Sequence, residues 1–167
     1  MEHHKQVEAI LQDWERLTLQ GNEYFQRHAW RDAYRCFGQS MQLVDPGLAN
    51  AGKRQQWRML RLFVLSCQNT AHVAEKMGRD RDAEHYFSHA HFCLLSLISS
   101  PLTPQDLRQR ALLEITASQG ALEDYLRRKG KESLLASIRE ETARVILQQG
   151  MPYTSQIINN PSLGLFA

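Results

Sequence analysis

Histidine is the residue type in this sequence best placed to do chemistry. Seven occur, and four of them (His72, His85, His89 and His91) fall in one stretch. His85 and His89 are four apart, so on a helix they share a face, with Asp82 one turn earlier. Two imidazoles and a carboxylate at that spacing are a candidate metal site, with zinc the natural guest. At about 100° per residue, however, both histidines sit about 200° around the helix from Phe87, away from the apolar line. No metalloprotease-type glutamate accompanies them. Solvated histidines are the preferred reading, and no cofactor is expected. Cys36, Cys67 and Cys93 are odd in number and widely spaced, which argues against a disulfide framework or a zinc knuckle. Each lies in an apolar helical pattern and reads as a packed thiol, not an activated nucleophile. Neither a glycine-flanked serine elbow nor a phosphate-cradling glycine loop is present. Glu140 and Glu141 beside Arg139 and Arg144 read as a charged helix surface. An enzyme is therefore not expected.

The composition narrows the partners. Apolar residues make up 43% of the chain and charged residues 23%, values at which a chain of 167 residues folds on a core. Twenty basic and 18 acidic residues leave a net charge of +2. That balance argues against nucleic acid or an anionic membrane as partner. The basic run Arg127, Arg128, Lys129 and Lys131 surrounds Gly130 and reads as a solvated turn. The sequence shows no signal peptide and no run approaching the roughly 20 apolar residues of a membrane span. A cytoplasmic protein is expected.

Helical periodicity dominates, and alternating strand patterns do not occur. The first helix is predicted over about 4–27, with Val7, Ile10, Leu11, Trp14, Leu17, Gly21, Tyr24 and Phe25 on one broad face. The second covers about 30–44 along Ala33, Phe37, Met41 and Val44, and Asp45-Pro46-Gly47 ends it. The third covers about 52–77 along Trp57, Leu60, Val64, Cys67, Ala71 and Ala74, with Gly78 as its stop. The fourth covers about 81–98 along Ala83, Phe87, Ala90, Leu94 and Leu97. Thr103 is the expected N-cap of a fifth helix, with Pro104 at its first position, running to about 128. The sixth covers about 132–148 through Leu135, Ile138, Thr142 and Ile146. Very short links near 28, 78 and 130 force antiparallel pairs. The chain thus reads as one all-α domain over 1–150, made of hairpins at about 4–44, 52–98 and 104–148. A non-helical, apolar tail follows at 151–167.

Ala33 and Phe37 recur 50 positions later as Ala83 and Phe87, and Ser40 recurs as Ala90. The small residues let the second helix of a hairpin lie close to the first, and the aromatic fills the gap between hairpins. Units that cannot bury their apolar faces alone must stack. With Gly21 and Tyr24 ahead of the first set, and Ala71, Ala74 and Gly78 ahead of Ala83 in the second, the pattern resembles the tetratricopeptide repeat over roughly residues 14–98. In the third unit Ser133 and Ser137 fall in the alanine and aromatic places. The period of 50 exceeds that family's 34 or so. Two architectures stay open: a right-handed superhelix of stacked hairpins, or a compact α-α bundle.

The resemblance implies a protein-interaction module, an adaptor or chaperone-like protein. Its first helices would line a concave groove that holds a peptide or a partner helix. Carried over by position, the groove residues are Thr18, Asn22 and Phe25, then Asn69, His72 and Lys76, then Gln119, which stands 50 after Asn69. Carboxamides suit such a role because each offers a donor and an acceptor to a peptide backbone. The two asparagines match the family's carboxylate clamp, but Thr18 stands where a lysine would be. A receptor for chaperone tails is therefore not implied. The tail, with Ile157, Ile158, Leu163, Leu165 and Phe166 needing cover, is expected to dock, along its own stack in preference to the groove of a second copy. The alternative function is a structural, self-associating domain, a homodimer closed by that tail.

Overall fold

The computed structural model describes residues 2–50 and 53–149. Over these the protein is all-helical, and no strand occurs among the described residues. The helices are α1 (Glu2–Gln26), α2 (Trp30–Asn50), α3 (Lys53–Lys76), α4 (Asp80–Ser99), α5 (Gln105–Arg128) and α6 (Glu132–Gln148). The apolar tail at 151–167 lies outside the described residues. Among the described residues, no helix is long and apolar enough to cross a membrane. The chain divides into two compact units, Met1–Ala90 and His91–Ala167, with the boundary inside α4.

One backbone device makes all three tight turns. After α1, Ala29 N–H donates to the Tyr24 carbonyl at 2.9 Å and His28 N–H to Phe25 at 3.0 Å. After α3, Arg79 donates to Ala74 (2.9 Å) and Gly78 to Glu75 (3.0 Å). After α5, Lys131 donates to Leu126 (2.9 Å) and Gly130 to Arg127 (3.1 Å). This closure of a helix end needs a left-handed residue at the reversal. His28, Gly78 and Gly130 supply it, with φ of 59°, 71° and 67°. Glycine enters that region freely, while histidine is strained there.

The turns also correct the repeat. They stand 50 and then 52 residues apart, so the third hairpin runs two positions late against a uniform offset of 50. The place of Ala33 and Ala83, five past the turn, belongs to Leu135 and not Ser133. The aromatic place belongs to Arg139 and not Ser137.

Three further expectations change. α2 continues through Pro46 to Asn50 instead of ending at Val44. Proline's fixed φ is a helical value, so a helix can pass through it, at the cost of one hydrogen bond and of crowding against the carbonyl four residues before. Trp57, placed on the inward line of α3, is 43% exposed. α5 begins at Gln105, with Pro104 itself as the N-cap (ψ 143°) and no side-chain capping bond from Thr103. Arg108 ties that entry down instead, its guanidinium donating to the carbonyls of Ser100 (2.9 Å) and Thr103 (3.2 Å).

In the first unit α1 packs on α2, α2 on α3, and α1 also touches α3. The α1–α2 crossing is close because Gly21 has no side chain. A Cβ there would lie 2.6 Å from Cε1 of Phe37. Phe37 and Phe87 are both buried, as are the small residues Ala33, Ser40, Ala83 and Ala90. Ala33, Phe37 and Val73 form a core against which Tyr24, Phe25, Trp30, Tyr34 and Met77 pack. A polar thread crosses the same core. Trp14 Nε1–H donates to Ser66 Oγ (2.7 Å), whose hydroxyl lies 3.3 Å from that of Ser40.

Candidate functional site

On α1, Glu15, Leu19, Asn22 and Gln26 follow one another at helical spacing and form one stripe. Leu65, Asn69, His72 and Lys76 form the matching stripe on α3, each 50 positions later. Each stripe runs from mid-helix towards its own tight turn, and the two helices are in contact. Leu19 is 58% exposed and Leu65 37%. Asn22, Asn69 and His72 are half-buried, and Glu15, Gln26 and Lys76 face solvent. The His72 ring stands edge-on to Phe87 with centroids 5.0 Å apart, which holds it on the core's border.

Four of the residues expected in a groove, Asn22, Asn69, His72 and Lys76, fall on these two stripes. Thr18 and Phe25 do not. Seven apart, they lie on the packed side of α1 with Leu11 and Trp14. The Thr18 hydroxyl is buried without a hydrogen-bond partner, and Phe25 meets Trp30 edge-on at 5.0 Å. Gln119 is buried in the second unit, where its Nε2 donates to Glu123 Oε1 at 2.7 Å. The two-residue delay of the third hairpin explains this: the register equivalent of Gln119 is the core residue Cys67, not Asn69. Sequence reading passed over Leu19 and Leu65. Their signal was an apolar residue standing off the apolar line of an otherwise polar stripe.

The candidate metal residues are engaged with the protein itself. The rings of His85 and His89 stack at 5.8 Å, 6° from parallel. His89 also meets Phe63 edge-on at 5.3 Å. Asp82 pairs with Arg79 at 2.6 Å, and that guanidinium lies 4.7 Å over the Tyr34 ring. Among the described residues no three His, Cys, Asp or Glu side chains converge as a metal site would need. None of the three cysteines forms a disulfide, and burial pushes the Cys36 thiol up from its ordinary pKa, away from thiolate chemistry. Cys36 also floors, with Leu17 and Leu43, an open cleft of about 470 Å³ between α1 and α2. Its two arginines, Arg16 and Arg35, are each paired at 3.0 Å, to Asp13 and Asp32.

The second unit holds a polar cluster in its core. Glu123 takes the place, seven before the turn, that Gly21 and Ala71 hold in the other hairpins, and it accepts from Arg139, which takes the place of Phe37 and Phe87. Burial alone would raise the Glu123 pKa. Hydrogen bonds from Arg139 and Gln119, with the charges of Arg139 and Arg127, outweigh it and hold the carboxyl below its ordinary value. His91 lies 2.9 Å from Thr142 through Nε2. Thr142 spends its own hydrogen on the Ile138 carbonyl (2.7 Å), so His91 Nε2 carries the proton and donates. His91 Nδ1 is buried and unpartnered, and burial pushes the imidazole pKa down to about 4, with the Glu123 charge opposing.

A family model described as "Protein of unknown function (DUF2753)" matches residues 12–153. The chain belongs to the DUF2753 family. The DUF2753 match takes in both stripes and the Glu123 cluster, and ends just past α6. No curated protein and no solved structure matches the chain.

Proposed function

We propose that this DUF2753 protein is a protein-interaction module rather than a catalyst, and that the α1–α3 face of its first unit takes an amphipathic peptide or helix from a partner. The observation that carries the reading is the exposure of Leu19 and Leu65 among amides on two touching helices. Two leucines supply area to bury, and the flanking carboxamides can pair with a backbone without demanding one side chain. The resemblance of residues 14–98 to the tetratricopeptide repeat, whose first helices line a binding groove, supports the same face. A cytoplasmic adaptor or chaperone-like role agrees with the balanced charge and with cysteines that form no disulfide.

The test is quantitative recovery of partners from native lysate on immobilised protein. Wild type is compared with Leu19→Glu plus Leu65→Glu, and with Leu102→Glu as a control at a 90% exposed loop position in the other unit. A partner held by wild type and control but lost from the double variant supports the reading. Equal recovery of every partner by all three would remove it.

A further inference from the structure

The last hairpin presents a docking face that no described residue fills. Leu113 on α5 is 69% exposed and Leu147 on α6 is 57% exposed. Leu113 stands 17 residues before Gly130 and Leu147 stands 17 after it, so the two hold matching positions on the antiparallel helices, at the end away from the turn. From there the stripes lead back along Thr116 and Gly120 on α5 and along Ala143, Glu140 and Ala136 on α6. These are mostly short side chains, and a Cβ added at Gly120 would meet nothing within 4 Å. Burial on α6 is confined to the other side, at Leu135, Ile138, Thr142 and Val145.

The first hairpin shows what such a face is for. Counted from the turns, Thr116 corresponds to Trp14, Ala143 to Met41 and Leu113 to Leu11. Trp14 donates to Ser66 of α3, and Met41 Sδ lies 3.5 Å from Cys67 of α3. Leu11 is 5% exposed. There the face is covered by the helix that follows the hairpin in sequence. After α6 the sequence that follows is 151–167, which contains Ile157, Ile158, Leu163, Leu165 and Phe166 and no Asp, Glu, Lys or Arg.

We propose that residues 151–167 dock in cis on the outer face of the α5–α6 hairpin, covering Leu113 and Leu147. Reach permits it. Ile157 is eight residues past Gln149, or about 26 Å of extended chain at ~3.3 Å per residue. The whole face, from Leu113 to the turn, is about 25 Å long at ~1.5 Å per residue. Gln149, the last described residue, stands two positions past Leu147, so the segment needs no long connection, which favours it over a second copy. The absence of charge in the segment suits a floor of Leu, Ala, Gly and Thr.

Photo-crosslinking in the full chain tests this. Leu113 is replaced by benzoylphenylalanine, an apolar probe at an exposed position, and crosslinked peptides are identified by mass spectrometry. We expect the main product to join position 113 to 151–167 within one chain. Its yield should be independent of protein concentration and fall about tenfold in Ile157→Asp plus Ile158→Asp. Leu165→Asp plus Phe166→Asp is the second variant, read in the same way. No crosslink to 151–167, an unchanged yield in both variants, or a product that joins two chains would overturn the proposal. The last result would assign the face to a second copy.

Discussion

At the scale of single residues, three positions carry sharp expectations. His28 holds a left-handed backbone at φ 59° where the other turns have glycine. His28→Gly should remove strain of about 1 kcal/mol, less whatever its edge contact with Trp30 at 4.9 Å contributes. Urea unfolding should show a higher midpoint at unchanged slope. Gly21→Ala has the opposite sign. Its methyl would sit 2.6 Å from the buried Phe37 ring, an overpacking that costs about 1–3 kcal/mol. His91 sets a pH dependence. Its folded pKa is about 4 against an ordinary 6.5, so the unfolded chain binds the proton first as pH falls. Stability on this account is complete above pH 6.5, declines between 6.5 and 4, and levels off below. The loss is about 3 kcal/mol at ~1.4 per pKa unit. His91→Met, which installs the residue of the corresponding first-hairpin position Met41, should flatten that slope in denaturation curves taken across the range.

At the scale of elements, five of the six helices were legible to within a residue or two at each end, because apolar spacing, glycines and short links all point the same way. The second helix was not. Pro46 reads as a stop, but a proline can lie within a helix at the cost of one hydrogen bond and of crowding against the carbonyl four residues before. The register of the third hairpin was hidden for a different reason. Its crossing is made by Glu123 and Arg139, a pair that does not look like the Gly21–Phe37 and Ala71–Phe87 pairs it replaces. A buried ion pair is weak evidence of stability, while breaking one strands a charge. Arg139→Ala should therefore destabilise the protein by about 2–3 kcal/mol, below the full figure for a buried pair because the arginine is itself 42% exposed. Glu123→Ala plus Arg139→Phe, which copies the second hairpin, should recover most of that loss in the same thermal or urea melt.

At the scale of the whole molecule, the all-helical fold of the described residues was readable from the sequence. Asn22, Asn69 and His72 are half-buried and Lys76 is exposed, each at helical spacing along α1 or α3. Thr18 and Phe25 were drawn into packing by the width of the apolar face of α1, and Gln119 by the shifted third hairpin. Leu19 and Leu65 became visible only through their exposure, since sequence alone does not say which leucine lacks a neighbour. These two leucines hold the functional reading together. The most direct measurement is calorimetric titration of a partner segment captured by wild type, against wild type and against Leu19→Glu plus Leu65→Glu, with thermal midpoints recorded alongside. Each buried leucine is worth roughly 1.5–3 kcal/mol, so Kd should rise about a hundredfold or more while the midpoint stays put. An unchanged Kd in a folded double variant would contradict the assignment of the α1–α3 face.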